Sequence, residues 1–96
     1  MKEEWRPILK SKGQYEASSL GRIRNVRTGR ILHSYIYRDG NRIKLSGFMS
    51  GRSYTVGALV WSAFHPDDKG RVYRINKQRG DRLDNLTLVP KEEDDA

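Results

Sequence analysis

Between Val56 and Phe64 the apolar residues Val56, Leu59, Val60 and Phe64 recur at intervals of three, one and four, with Trp61 beside them. That spacing lines one face of a short amphipathic helix, and His65-Pro66 ends it because the proline ring blocks helical continuation. Whatever precedes and follows must pack on this one face. In a chain of 96 residues only one modest core can form.

The flanking segments read as strands and turns. Trp5-Arg6-Pro7-Ile8 is extended, with Trp5 as an anchor and Pro7 opposing a helix. Tyr15 to Val26 reads as a strand, a turn at Ser19 to Gly21 and a second strand; Ile23, Val26, Ile31 and Leu32 are its expected buried members. Arg27-Thr28-Gly29-Arg30 makes a tight turn in which glycine supplies the positive φ. Ser34 to Tyr37 and Arg42 to Leu45 flank a turn at Asp39-Gly40, and Gly47 to Met49 with Ser53 to Val56 extends the antiparallel pattern through Ser50-Gly51-Arg52. After the helix come a polar turn at Asp67 to Gly70, a strand from Arg71 to Ile75, a charged loop from Asn76 to Gly80, a helical turn at Asp81 to Asn85 and a short strand from Leu86 to Val89. The fold class is therefore α+β, a small twisted antiparallel sheet with one short helix.

Charge is the loudest compositional signal. Nineteen Lys and Arg face 12 acids; residues 91–96 hold one Lys and four acids, which leaves 18 bases against 8 acids in residues 1–90, a net of +10. A body this basic attracts a polyanion, and nucleic acid is the commonest one in cytosol. Residues 1–90 are read as one compact domain and 91–96 as an acidic, disordered tail. There is no cysteine, which excludes disulfides and thiolate zinc sites. No apolar run reaches the roughly 18 residues of a membrane span and no signal-peptide middle follows Met1, so a cytoplasmic protein without membrane contact is expected. His65, Asp67 and Asp68 could clamp a metal, but a helix-ending His-Pro followed by a solvated turn explains them as well and is preferred.

Three segments together carry a resemblance. Glu4-Trp5-Arg6-Pro7-Ile8, the run Tyr15-Glu16-Ala17-Ser18-Ser19-Leu20-Gly21-Arg22-Ile23-Arg24 and Gly29-Arg30-Ile31-Leu32 resemble the nuclease-associated modular motif that precedes HNH homing endonucleases of phages and mobile introns. That motif has a Trp-x-Pro-Ile start, a Tyr-Glu-x-Ser-x-x-Gly-Arg-Val core and a Gly-Arg-x-Leu close. Leu59-Val60-Trp61-Ser62-Ala63-Phe64 and Arg82-Leu83-Asp84-Asn85-Leu86 are similar to the Leu-Val-x-x-Ala-Phe and Arg-x-x-Asn-Leu segments of the HNH module. The resemblance implies a modular motif and sheet over residues 4–56 and a degenerate, truncated ββα-metal hairpin over residues 56–89.

It also implies where chemistry would lie. In the active family the catalytic strand ends in Asp-His or Asn-His, the His activating water and the Asp helping to hold a divalent metal. Those two positions are Tyr73 and Arg74 here. A guanidinium, with a pKa above about 12, accepts no proton near neutrality, and Tyr73 is a poor ligand for a hard cation. Asn85 matches the Asn that orients the base and is expected to serve the loop's hydrogen bonding instead. Gly57 stands where the family has a His, and Asp94 takes the spacing of the last ligand in a segment too short for a stable helix. Cleavage is expected to be lost, with no metal or other cofactor, and the chain is expected not to be an enzyme.

Three readings follow. In the first, the chain is an inactive nuclease relative that holds nucleic acid, most simply duplex DNA. Its contacts would be Arg22, Arg24, Arg27 and Arg30 around one hairpin, Arg38, Arg42, Lys44 and Arg52 in the sheet, and Arg71, Arg74, Lys77, Arg79 and Arg82 around the former site; bases on strand edges also discourage aggregation. In the second, a small phage factor binds and inhibits or redirects a host protein that acts on nucleic acid, through Tyr35, Tyr37, Tyr54 and Tyr73 with their Arg neighbours. Packing of these tyrosines in the sheet is the plainer account. In the third, a metal-dependent endonuclease has rebuilt its site from His65, Asp67, Asp68, Asp81 or Asp84.

Overall fold

The computed structural model describes residues 2–37, 40–45 and 53–90. Its first sheet joins β1 (Trp5–Pro7), β2 (Tyr15–Ser18) and β3 (Ile23–Asn25) in that order, all antiparallel. Pro7, which has no N–H to give a second neighbour, sits on the edge strand. Between β1 and β2 a 3-10 turn at Leu9–Ser11 ends at Lys12 and Gly13, with φ of 54° and 84°. Buried Ser11 fixes this reversal: its Oγ donates to the Ile8 carbonyl at 2.6 Å and accepts from the Tyr15 N–H at 3.0 Å. Ser18 does the same for the next turn, accepting from the N–H groups of Leu20 and Arg22.

The turn at Arg27 to Arg30 forms as expected, with Asn25 Oδ1 accepting from the N–H groups of Arg27 and Thr28 and Gly29 at φ 74°. Val26 and Ile31, expected inside, lie at the surface with 45% and 42% exposure. β3 ends at Asn25, and after the turn the returning chain pairs with it through an isolated bridge, Ile31 opposite Arg24. The period-two pattern runs past the point where the sheet stops.

The second sheet orders β4 (Tyr35–Tyr37), β5 (Gly40–Lys44) and β6 (Ser53–Thr55), again antiparallel. β6 pairs directly with β5, Ile43 opposite Tyr54; the expected strand Gly47 to Met49 and its turn lie outside the described residues. The third sheet is the pair β7 (Gly70–Arg74) and β8 (Leu86–Pro90). The strands of the described residues thus divide among three small antiparallel sheets within the expected α+β class.

Among the described residues one α-helix, α1 (Val56–Phe64), holds the three sheets together, and its bounds are those read from the apolar spacing. It packs on β1, β2, β5, β6 and β7. Val56, Leu59, Val60 and Ala63 meet Ile8, Tyr15, Ala17 and Ile23 of the first sheet region, Ile43 and Leu45 of the second, and Leu86 of the third in one core. Each large aliphatic side chain buried there contributes about 1.5–3 kcal/mol. Among the described residues no helix is long and apolar enough to cross a membrane.

Candidate functional site

Strand alternation decides what the β7–β8 hairpin offers. Tyr73 is paired with Thr87 and Arg71 with Val89, so these four share one face, which is exposed or nearly so; Val72 and Arg74, opposite Leu88 and Leu86, turn to the side that α1 covers. Arg74 is therefore a half-buried cation inside the fold. Its Nε donates to Asp81 Oδ1 at 2.9 Å and its Nη2 to Asp81 Oδ2 at 2.8 Å, a bidentate fork. Nη1 donates to the Lys77 carbonyl at 3.1 Å, and Nη2 reaches Asn41 Oδ1 on β5 at 3.4 Å. The hydrogen bonds that Arg74 donates to Asp81 raise the Arg74 pKa above its ordinary value, against the opposing effect of burial.

Asp81 is held as tightly. Its side chain is 8% exposed and lies against the first turn of α1, where a Cβ on Gly57 would stand 3.1 Å from Oδ1 and 3.2 Å from Leu86 Cδ2. Thr55, at the helix start, provides no side-chain cap, so the nearby carboxylate also meets the partial positive charge of the helix end. From the first sheet, the Ser19 carbonyl accepts the Leu83 N–H at 2.8 Å. Gly21 lets the two segments approach: its φ is 89°, and a Cβ would stand 2.9 Å from the carbonyl carbon and oxygen of Asp81.

Asn85, 5% exposed, closes the loop from within. Its Oδ1 accepts the Asn76 N–H at 3.0 Å, and its Nδ2 donates to the carbonyls of Asn76 and Gly80 at 2.9 and 2.7 Å. This is the loop-bonding role expected for it. Lys77, Gln78 and Arg79 stand exposed on the far side of that loop.

The remaining bases have diverse fates. Arg22 pairs with Glu3 through Nε and Oε2 at 2.8 Å, and Arg24 with Glu16 at 2.8 Å; both stack on Trp5, at 5.6 and 4.0 Å from its ring centroid. Arg42 donates to Ser53 Oγ and its carbonyl. Arg82 lies half-buried with Nε 3.5 Å from Asp84 Oδ1, without hydrogen-bond geometry. Arg27, Arg30, Lys44 and Arg71 are exposed, and Arg38 and Arg52 lie outside the described residues. Of the tyrosines, Tyr35 and Tyr73 are 63% and 48% exposed, whereas Tyr54 packs against the core; nothing is described of the Tyr37 side chain. On the outer face of the second sheet Tyr35, Arg42 and Thr55 form one row and Lys44 and Ser53 the next, with a shallow groove of about 260 Å³ among them.

The residues of a rebuilt metal site are not brought together. Asp68 accepts from Trp61 Nε1 at 3.2 Å, His65 stacks on Trp61, Asp84 faces Arg82 and Asp81 belongs to Arg74. Among the described residues no three His, Cys, Asp or Glu side chains converge. This donor set does not suit a hard divalent ion: the Arg74 guanidinium is a cation, Asp81 is bound to it, and Tyr73 lies on the opposite, exposed face. Sequence reading missed the Arg74–Asp81 fork and the link to Asn41. Only the placing of Arg74 inside a strand hinted that it needed an internal partner.

The described residues form three small sheets around one helix, closed by a strand, loop and Asn-Leu hairpin, an arrangement similar to that of an HNH homing endonuclease. The solved structure titled "DNA binding and cleavage by the HNH homing endonuclease I-HmuI" matches with a TM-score of 0.73 and 27% identity, over 91% of this chain and 52% of that one. Residues 3–46 match the NUMOD4 motif. No curated protein matches the chain. The chain is thus similar in fold to an HNH homing endonuclease over about half of that protein's length, and residues 3–46 match the motif named above.

Proposed function

We propose that this chain is a DNA-binding protein of HNH-endonuclease descent, of phage or mobile-element origin, that holds duplex DNA in the cytoplasm without cutting it. The observation that carries the reading is the Arg74–Asp81 fork. Arg74 stands at the position the resemblance assigns to the general base, and its 2.9 and 2.8 Å contacts engage the largely buried carboxylate of Asp81. Neither group can then take a proton from water or hold a metal without breaking the pair.

Binding needs only cations and a surface of suitable shape. The outer face of β4, β5 and β6 offers Tyr35, Arg42, Lys44 and Ser53 on a small antiparallel sheet, of which a pair of strands is narrow enough to enter the major groove of B-DNA. Arg27 and Arg30 at one turn and Lys77 and Arg79 at another add exposed charge. Titrating labelled duplex at several salt concentrations tests the reading. It predicts a shift whose affinity falls steeply with salt, about 0.9 log unit per phosphate contact for each log unit of salt. The absence of binding at low ionic strength would refute it.

One observation favours a protein partner as a second reading. Tyr73, Ile75 and Val89 are 48%, 66% and 52% exposed on the uncovered face of β7–β8, with Arg71 beside them. An apolar centre edged by arginine is the composition of protein interfaces. Affinity capture from host lysate with and without nuclease separates the two, since a partner that disappears with the DNA contradicts this second version.

A further inference from the structure

Two of the groups that the resemblance places at catalytic positions, Arg74 and Asn85, bind one loop. Arg74 holds the Lys77 carbonyl, and Asn85 holds the Asn76 N–H together with the Asn76 and Gly80 carbonyls. The Asn76 carbonyl also accepts the Arg79 N–H at 3.0 Å, and Asn76 Oδ1 accepts the Gln78 N–H at 2.9 Å. Five residues of loop are thus fixed from inside, and their three longest side chains, Lys77, Gln78 and Arg79, all face solvent. No acid lies among them.

This combination has a use in nucleic-acid recognition. A loop already fixed loses little conformational entropy on binding. Lysine and arginine on either side supply phosphate contacts that set register, and a glutamine between them carries a donor and an acceptor in one planar amide, the pair that matches adenine N7 and N6. Glutamine also carries no charge, so its contribution appears as selectivity and not as salt dependence.

We propose that loop 76–80 is a base-reading tip in which Gln78 contacts a base edge, Lys77 and Arg79 contact flanking phosphates, and Arg74 and Asn85 are positioning residues. The proposal rests on the DNA-binding reading above and gives it a place of sequence discrimination.

Selection of bound duplexes from a randomised pool, followed by sequencing, tests it with wild type, Gln78→Ala and Arg74→Lys. Wild type is expected to enrich a site containing a strongly preferred adenine, with about tenfold loss of affinity when that pair is changed. Gln78→Ala, at an exposed position, should abolish that preference and leave the salt slope unchanged. Lys77→Ala and Arg79→Ala should weaken all sequences alike and lower the slope by about one each. Arg74→Lys keeps the charge but loses the fork, and should blur the preference without altering the slope.

The outcomes are distinct. A pool from Gln78→Ala with the same preferences as wild type overturns the base-reading role while the DNA-binding reading stands. Full preference in a folded Arg74→Lys overturns the positioning role. Absence of any duplex binding by wild type overturns both readings.

Discussion

Arg74 and Asp81 face each other across the mouth of the β7–β8 hairpin with two parallel hydrogen bonds of 2.9 and 2.8 Å, on side chains that are 19% and 8% exposed. Removing one partner leaves a desolvated charge, whereas removing both leaves little to compensate. Arg74→Met is therefore expected to cost about 3 kcal/mol in urea unfolding, and Arg74→Met with Asp81→Leu to recover most of it. A single variant as stable as wild type would show that the fork contributes nothing.

Asn85 supplies the hairpin with three hydrogen bonds from a buried position. Asn85→Ala leaves the Asn76 N–H and the Gly80 carbonyl without that partner, while the Asn76 carbonyl keeps the Arg79 N–H; each group kept from water costs roughly 1–3 kcal/mol, and water entering the loop reduces the total. Hydrogen exchange should then rise between Asn76 and Gly80 before it rises in α1. Uniform loss of protection would indicate a global and not a local effect.

The turn at Gly21 tests how the first sheet is joined to the hairpin. With φ at 89° and the Asp81 carbonyl 2.9 Å from any added Cβ, Gly21→Ala is penalised twice, by backbone strain and by overlap with main chain. A loss of roughly 2 kcal/mol or more follows, read as a lower thermal midpoint. Gly29→Ala makes the control, because its φ is also positive, at 74°, but nothing lies within 4 Å.

Acid stability should depend in part on Glu3. The hydrogen bond from Arg22 holds the Glu3 carboxyl below its ordinary value of 4.5. A lowered folded-state pKa gives stability that is complete above the unfolded value and is lost as the pH falls through the folded one. Glu3→Gln should therefore be less stable than wild type at neutrality, and the difference should shrink as the pH falls below about 4.5, where the wild-type carboxyl is itself protonated. The Arg74 pKa is raised, so its contribution is present throughout the range below the ordinary arginine value and adds no slope near neutrality.

Much of this was legible in the residues, for identifiable reasons. The bounds of α1 follow from the spacing of Val56, Leu59, Val60 and Phe64 and from Pro66, because helical periodicity and a proline stop are local properties. Asn85 could be assigned to the loop because its neighbours in sequence are its partners in space. The partners of Arg74 could not be read. Asn41 is 33 residues away and Asp81 lies across a loop, so pairing depends on how three elements meet. The exposure of Val26 and Ile31 was illegible for a related reason: alternation predicts the face of a strand but not the residue at which its sheet ends.

Cleavage at saturation tests the central claim most directly. Supercoiled plasmid is incubated with magnesium or manganese at protein concentrations that fully shift the same DNA. The account predicts that all of it is bound and all of it stays supercoiled. Nicking that is abolished by Asp81→Asn or another single carboxylate change would contradict it.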